Sequence, residues 1–327
     1  MKKLFKTVFL LMLFAFCFGC KKENIGENGV FLSVDDALSD AKKNDKNILV
    51  IVTSDGDDEL SHDFIENVIK SSEFKTETEA KFSVLYMDFS EATFAKTVVN
   101  PDDDQKKQKE AQKFADIMQE NSVLASKLYV QNTPAMFVLT KEFYFITEID
   151  VSQKIENFSM LEQLLENQND KIQAVNQMVS ETKHGSVAEK IAAIDKLYEN
   201  TDLMYRSFLA DLIFEVIELD KKNESGLLSK YLLTSADINS SEQFLKGNVD
   251  EAVKTYTDIC SNEFMLPKHK QQAYYLAAYI MLITGSQDYE MCLNLIDMSI
   301  SAAPDTESAQ TIQNLRDYLK NEIMPAQ

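Results

Sequence analysis

An acidic loop is the stretch of this sequence in which residue types and spacing suggest chemistry. Asp55, Asp57, Asp58 and Glu59 follow directly after an apolar run, Ile48–Val52, and precede a helical pattern. A carboxylate at the N-terminus of a helix accepts hydrogen bonds from free backbone N–H groups and interacts favourably with the helix dipole. The sequence therefore predicts that Asp58 caps the helix that follows.

Calcium binding is an alternative use of this loop. Six oxygen-bearing side chains fall at the ligand offsets of an EF-hand loop, namely Asp55, Asp57, Glu59, Ser61, Asp63 and Glu66. Leu60, however, occupies the position at which such a loop needs Gly, and the segment from Asp58 onward has a helical pattern. We favour a capped helix with solvated charges, and we expect no metal site.

Other catalytic constellations are missing from the sequence. Ser61, His62 and Asp63 are adjacent, and adjacent helical residues point about 100° apart, so they cannot form a catalytic relay. His184 and His269 have no neighbouring ligands with which to build a zinc site, and no Gly-rich phosphate loop is present. We expect no cofactor.

The elements around the acidic loop predict an α/β domain. The apolar run Ile48–Val52 predicts a strand that is buried on both faces. Apolar residues then recur on one side of a helix, and further strands and helices alternate along the chain. The predicted elements are a short strand at Gly29–Leu32, a helix at Val34–Asn44 capped by Ser33, a helix at Ser71–Lys81, a strand at Phe82–Phe89, a polar insert at Asn100–Lys109, a helix to Leu128, and a hairpin from Ala135–Leu139 to Phe143–Ile149.

The strand, acidic loop and helix resemble the active-site region of the thioredoxin fold. Catalytic members carry a Trp-Cys-x-x-Cys motif there, followed by apolar residues at offsets that Phe64, Val68 and Ile69 match. This alignment places Asp57 at the Trp position, and Asp58 and Ser61 at the two cysteine positions. The resemblance therefore implies a mixed sheet flanked by helices, with a degenerate active-site loop at Asp57, Asp58 and Ser61.

A second motif supports the same resemblance. The segment Leu124–Leu139 is similar to the family's helix, Thr-Pro turn and following strand. The resemblance, which covers roughly Gly29 to Asp150, implies a cis peptide bond between Thr133 and Pro134. It also implies that this turn faces the Asp57–Ser61 loop.

The N-terminal segment has the pattern of a bacterial export signal. Three lysines precede the apolar run Val8–Phe18, which is short for a membrane span, and Gly19-Cys20 then resembles a lipobox. We expect residues 1–19 to be a lipoprotein signal peptide, Cys20 to carry lipid, and residues 20–28 to form a tether. An ordinary secretory signal is the alternative, because Cys17 and Phe18 depart from the usual lipobox.

Cysteine usage and charge restrict the function further. No cysteine lies between Lys21 and Ile259, and Cys260 and Cys292 are equally compatible with buried thiols and with a disulfide. The formal net charge of −20 argues against nucleic-acid binding, which needs a basic face. It also argues against a polybasic membrane surface, so a lipid would supply the membrane contact.

The second half of the sequence, residues 153–327, has helical periodicity throughout. The predicted helices are Asn157–Val179, Val187–Asn200, Leu203–Lys221, Gly226–Leu233, Ser241–Asn262, Pro267–Thr284, Tyr289–Ala303 and Glu307–Glu322. The stretch from Ala273 to Pro304 resembles a tetratricopeptide helix pair, with small residues at the crossing and Gly285 at the turn. An irregular helical bundle is the alternative.

These observations favour a binding protein over an enzyme. We predict an α/β thioredoxin-like domain, residues 29–152, followed by an all-α tetratricopeptide-like domain, residues 153–327. The predicted function is a redox-inactive protein- or peptide-binding or scaffold module, lipid-anchored in the bacterial cell envelope and either periplasmic or surface-exposed. A thiol–disulfide oxidoreductase or chaperone helper with an atypical site is the alternative.

Overall fold

The computed structural model describes residues 29–323, so the expected lipidation site Cys20 and the tether lie outside the described residues. The backbone contacts divide the chain into two compact units between Ile172 and Gln173, within one helix. The expected boundary of independent domains at residues 152–153 stays a prediction. Each unit is described by itself below.

The first unit is built on a four-stranded mixed sheet. The strands are β1 (Asn47–Thr53), β2 (Phe82–Asp88), β3 (Ala135–Leu139) and β4 (Phe145–Ile149). Their order is β2-β1-β3-β4, in which β1 is parallel to β2 and antiparallel to β3, and β3 is antiparallel to β4. The strand expected at Gly29–Leu32 is reduced to a single bridge between Phe31 and Leu85.

Helices connect the strands of this sheet. They are α1 (Val34–Asn44), α2 (Glu59–Phe64, which continues as a π-helical turn, Ile65–Ile69), α3 (Ser72–Lys81), α4 (Glu91–Ala95), α5 (Gln105–Lys127) and α6 (Phe158–Glu166). Side-chain caps fix where several of them begin: Ser33 accepts a hydrogen bond from the backbone N–H of Asp36, and Asp104 accepts from Lys106 and Lys107. The polar insert therefore ends as the capped start of α5.

β1 is one of the two inner strands of the sheet. Its residues from Ile48 to Thr53 are all buried, as the continuous apolar run predicts. Phe64, Val68 and Ile69 on the helix side are also buried, with at most 4% of each exposed. The helix that follows the acidic loop is thus fixed against the sheet by its apolar face.

The second unit is helical. After α7 (Asn169–Thr182) come α8 (Val187–Asn200), a 3₁₀ segment (Leu203–Leu209), α9 (Ala210–Leu219), α10 (Leu228–Leu245), α11 (Val249–Ile259), α12 (Pro267–Ile283), α13 (Tyr289–Ala302), α14 (Glu307–Tyr318) and a π-helical turn (Leu319–Ile323). Helices α10 to α14 share one hydrophobic core. In it Ala273, Ala277 and Ala278 are almost completely buried, so the small residues of α12 lie where the packing is tightest.

Three of the predicted helix boundaries are wrong. The predicted helix Asn157–Val179 is two helices, and the region Leu203–Lys221 begins as a 3₁₀ segment. The break expected after Leu233 does not occur, because α10 continues to Leu245 and the turn lies at residues 246–248.

Packing explains the unbroken helix α10. Its serine-rich stretch resembles a loop in sequence because serine favours caps and turns. Ser235 and Ser240 are instead buried, and their hydroxyls donate to the carbonyls of Leu232 and Ala252. Tertiary packing therefore outweighs local propensity here.

No helix in residues 29–323 combines the length and the apolar character that a bilayer-spanning segment requires.

Candidate functional site

Asp58 connects the start of α2 to the turn that precedes β3. Its Oδ1 accepts a hydrogen bond from the backbone N–H of Ser61 at 2.6 Å, which makes Asp58 the N-cap of α2. Its Oδ2 accepts from the hydroxyl of Thr133 at 2.8 Å. One carboxylate therefore joins two segments that are 75 positions apart in the sequence.

The hydrogen bonds keep Asp58 ionised. Partial burial by itself would raise the pKa of Asp58, but donors from Ser61, Thr133 and Leu60 outweigh burial and hold that pKa below its ordinary value. At neutral pH the group is a carboxylate with both oxygens engaged. It can accept hydrogen bonds or attract a cation, but it carries no proton to donate.

The Thr133–Pro134 turn faces this carboxylate. The peptide bond between the two residues, which was expected to be cis, is cis in the structure. Pro134 is buried and Thr133 is half-buried. Among residues 29–323, no hydrogen-bond partner is found for the backbone N–H or the carbonyl of Thr133, in contrast to its hydroxyl.

Ser61 is completely buried. Its Oγ accepts a hydrogen bond from the backbone N–H of Ser54 at 3.1 Å, so it holds the loop against the helix. His62 is exposed and its Nδ1 lies 3.4 Å from Oδ1 of Asp55. The structure therefore does not bring Ser61 and His62 together as nucleophile and base.

Two hydrogen bonds anchor the acidic loop to the end of β2 and the start of α4. Oδ2 of Asp57 accepts from the backbone N–H of Glu91 at 2.8 Å, in the first turn of α4. The backbone N–H of Asp55 donates to Oδ1 of Asp88 at 3.1 Å. Sequence reasoning missed Asp88, although it ends a strand parallel to β1, and parallel strands end at the same edge of a sheet.

The geometry does not favour calcium at this loop. α2 begins at Glu59, so Ser61 and Asp63 lie on a helix and not on a loop that wraps around an ion. Asp63 forms an ion pair with Lys154 at 2.5 Å. Within the described part of the chain, no group of three or more His, Cys, Asp or Glu side chains is arranged to hold a metal ion.

The two cysteines of the second unit are poor nucleophiles. Cys260 and Cys292 are both buried, and both are free thiols. Burial raises the pKa of both thiols above the ordinary value, to about 11 for Cys292. Because the thiolate is the reactive form, little of either cysteine can attack a disulfide at neutral pH.

Comparisons with known proteins give relatives for parts of the chain. A family model described as an uncharacterised protein C-terminal domain matches residues 227–324. An uncharacterized protein of Treponema pallidum (strain Nichols) is 27% identical over 150 residues, which is 44% of this chain and 48% of that protein. The chain thus spans about half the length of this relative. A solved structure described as a DsbH oxidoreductase is 14% identical, covers 45% of this chain and 91% of that one, and aligns with a TM-score of 0.30.

We predict that Asp58→Ala lowers the free energy of unfolding by about 0.5–2 kcal/mol, because α2 loses its N-cap. Asp58→Asn, which keeps an oxygen for the Ser61 N–H, should cost less. Glu59→Ala is the control, because its side chain is exposed and is not the cap. Urea unfolding of the three variants measures these differences.

The pH dependence of the same variants provides a further check. A carboxylate whose pKa is lowered in the folded state stabilises the protein above its unfolded pKa of about 3.9, and this contribution is lost as the pH falls through the folded pKa. The stability difference between wild type and Asp58→Asn should therefore shrink below about pH 4. Parallel stability curves for the two proteins throughout the acid range would contradict an ionised Asp58.

Proposed function

We propose that this protein is an envelope lipoprotein whose thioredoxin-like first unit binds an extended peptide and performs no redox chemistry. The observation that supports this proposal best is the pairing of Asp58 with Thr133. In the resemblance, Asp58 aligns with the attacking cysteine. Its carboxylate oxygens already accept the N-cap hydrogen bond from Ser61 and the hydroxyl of Thr133. The backbone of Thr133 beside it keeps its hydrogen-bonding capacity.

The thioredoxin-like assignment is supported by the arrangement of the elements. A parallel β1–β2 pair, an antiparallel β3–β4 hairpin and a cis-proline turn opposite the N-terminus of α2 are the features that the resemblance implies. The mixed sheet with flanking helices is consistent with this family.

Disulfide reduction requires groups that this site lacks. A thiolate must attack the disulfide, and a second thiol usually resolves the mixed disulfide. Asp58 and Ser61 supply neither group. The thioredoxin-type oxidoreductase or chaperone helper remains the alternative function, and its chemistry would have to come from Cys260 or Cys292.

The backbone N–H and carbonyl of Thr133, which have no hydrogen-bond partner among residues 29–323, suggest how a peptide would bind. An extended chain can pair its own N–H and carbonyl groups with those of a free edge, which gives affinity without turnover. Asp55, Asp57 and Glu59 add negative charge to the loop whose Asp58 contacts Thr133. A peptide with a basic or neutral character is therefore the better ligand.

The second unit supports a docking role in the same proposal. α12 and α13 form an antiparallel pair with buried alanines on α12, and Gly285 at the turn has φ +69°, a left-handed conformation that favours glycine. These features are tetratricopeptide-like. We propose that this unit presents its remaining helical faces to a protein partner.

The anchoring part of the proposal rests on Cys20. Replacing Cys20 with Ser should release the protein from the membrane fraction, because the lipid would have no attachment site. Fractionation of cells that express wild type and Cys20→Ser tests this expectation. A Cys20→Ser protein that stays with the membranes would contradict lipid anchoring, and Cys17→Ser serves as the matched control.

We expect no insulin-disulfide reduction by the mature protein. Cys260→Ser and Cys292→Ser variants are measured alongside, with an ordinary thioredoxin as the positive control. Turnover comparable to that of thioredoxin, lost in the cysteine variants, would overturn the binding function and move the chemistry to the second unit.

Peptide binding is tested with fluorescent extended peptides of equal length and different net charge, measured by anisotropy. Basic and neutral peptides should bind more tightly than acidic ones. Thr133→Pro should abolish binding because it removes the backbone N–H, whereas Thr133→Val removes only the hydroxyl and should retain it. Proline suits the extended backbone expected before Pro134, so the first variant can fold. Equal binding by both variants would exclude the Thr133 backbone as the contact.

A further inference from the structure

We propose that the second unit carries a binding site for a small organic acid, in a cavity of about 640 Å³ between α12 and α14. The ligand class is an anionic head group on a short apolar chain. This site is separate from the peptide site of the first unit, and neither proposal depends on the other. Cavities of this size hold ligands up to the size of a typical drug.

One face of each helix lines the cavity. On α12 the lining residues include Lys268, Gln271 and Tyr275, and on α14 they include Ser308 and Leu315. These positions recur at three- and four-residue steps, which is the spacing that places side chains on a single helical face. The cavity is therefore a product of how the two helices pair.

The head-group end of the cavity carries one cation, the exposed side chain of Lys268. Lys268 lies in the first turn of α12 and Ser308 in the first turn of α14, where the helix dipoles favour an anion. Within residues 29–323 the Lys268 ammonium forms no ion pair, although the chain has many more acidic than basic residues. No Asp or Glu is among the lining residues in this described region, and the neighbouring Asp305 and Glu307 do not line the cavity.

His269 lines the same end of the cavity. Its Nδ1 lies 2.8 Å from Oγ of Ser229, and that oxygen accepts the backbone N–H of Leu266 at 2.8 Å. Burial lowers the pKa of His269, so the ring is neutral at pH 7.

The wall beside this end is held in place before any ligand binds. Gln271 is 4% exposed, its Nε2 donates to the carbonyl of Ala303 at 2.8 Å, and its Oε1 accepts from the hydroxyl of Thr306 at 2.7 Å. These bonds fix the loop that leads into α14. A preformed wall lowers the entropy cost of binding a small ligand.

The other end of the cavity is apolar. Tyr275, Ile312 and Leu315 lie farther along the two helices than Lys268 and Ser308. A short hydrocarbon chain would be removed from water there while its carboxylate remains beside Lys268. The gradient from cationic to apolar lining is the observation that selects an organic acid over a simple inorganic anion.

The test uses hexanoate and its neutral isostere hexanamide with the full-length protein, and calorimetry measures their dissociation constants. Hexanoate should bind about tenfold more tightly than hexanamide, as expected for a charge-assisted hydrogen bond. Lys268→Gln should remove that advantage. Lys270→Gln, two positions along the same helix and outside the lining, should leave it within about twofold. Acetate, which has the charge without the chain, should bind more weakly than hexanoate.

Equal affinities for hexanoate and hexanamide would overturn the proposal, as would equal losses in Lys268→Gln and Lys270→Gln. Absence of saturable hexanoate binding to the folded wild-type protein would also overturn it. Circular dichroism of each variant confirms that the helices are intact, so a loss of binding reports on the cavity.

Discussion

The Asp58 carboxylate is the interaction on which the site of the first unit depends. One oxygen caps the N-terminus of α2 by accepting the backbone N–H of Ser61, and the other accepts the hydroxyl of Thr133. A charged acceptor forms stronger hydrogen bonds than a neutral one, and its pKa is lowered as a result. At a helix N-terminus, the helix dipole and the free N–H groups would lower the pKa of a cysteine thiol and activate it. With a carboxylate in that position, they stabilise only the negative charge of the carboxylate.

The acidic character of the loop follows from this structural use. Asp57 binds the N–H of Glu91, and Asp88 binds the N–H of Asp55, so carboxylates connect the ends of β1 and β2. Each carboxylate accepts a backbone N–H that would otherwise bind water. Among the described residues of this loop and turn, the backbone of Thr133 remains available to another molecule, and the proposed peptide binding rests on it.

The strands and the Asp58 cap were predictable because local signals specify them. The apolar runs at Ile48–Val52 and Ala135–Leu139 mark buried strands, and the Thr-Pro turn is distinctive. The unbroken helix α10 was not predictable, because the buried serines satisfy their hydroxyls within the packed core. The contacts of Asp57 with Glu91 and the cavity between α12 and α14 depend on tertiary packing, which no short motif encodes.

A double-mutant cycle tests the central claim that Asp58 and Thr133 are energetically coupled. Asp58→Ala, Thr133→Val and the double variant are compared with wild type by urea unfolding at neutral pH. The account predicts that the two single losses are not additive, with a coupling free energy of about 1 kcal/mol or more, because each variant removes the same hydrogen bond. Additivity within about 0.3 kcal/mol would show that the carboxylate does not connect the helix to the turn.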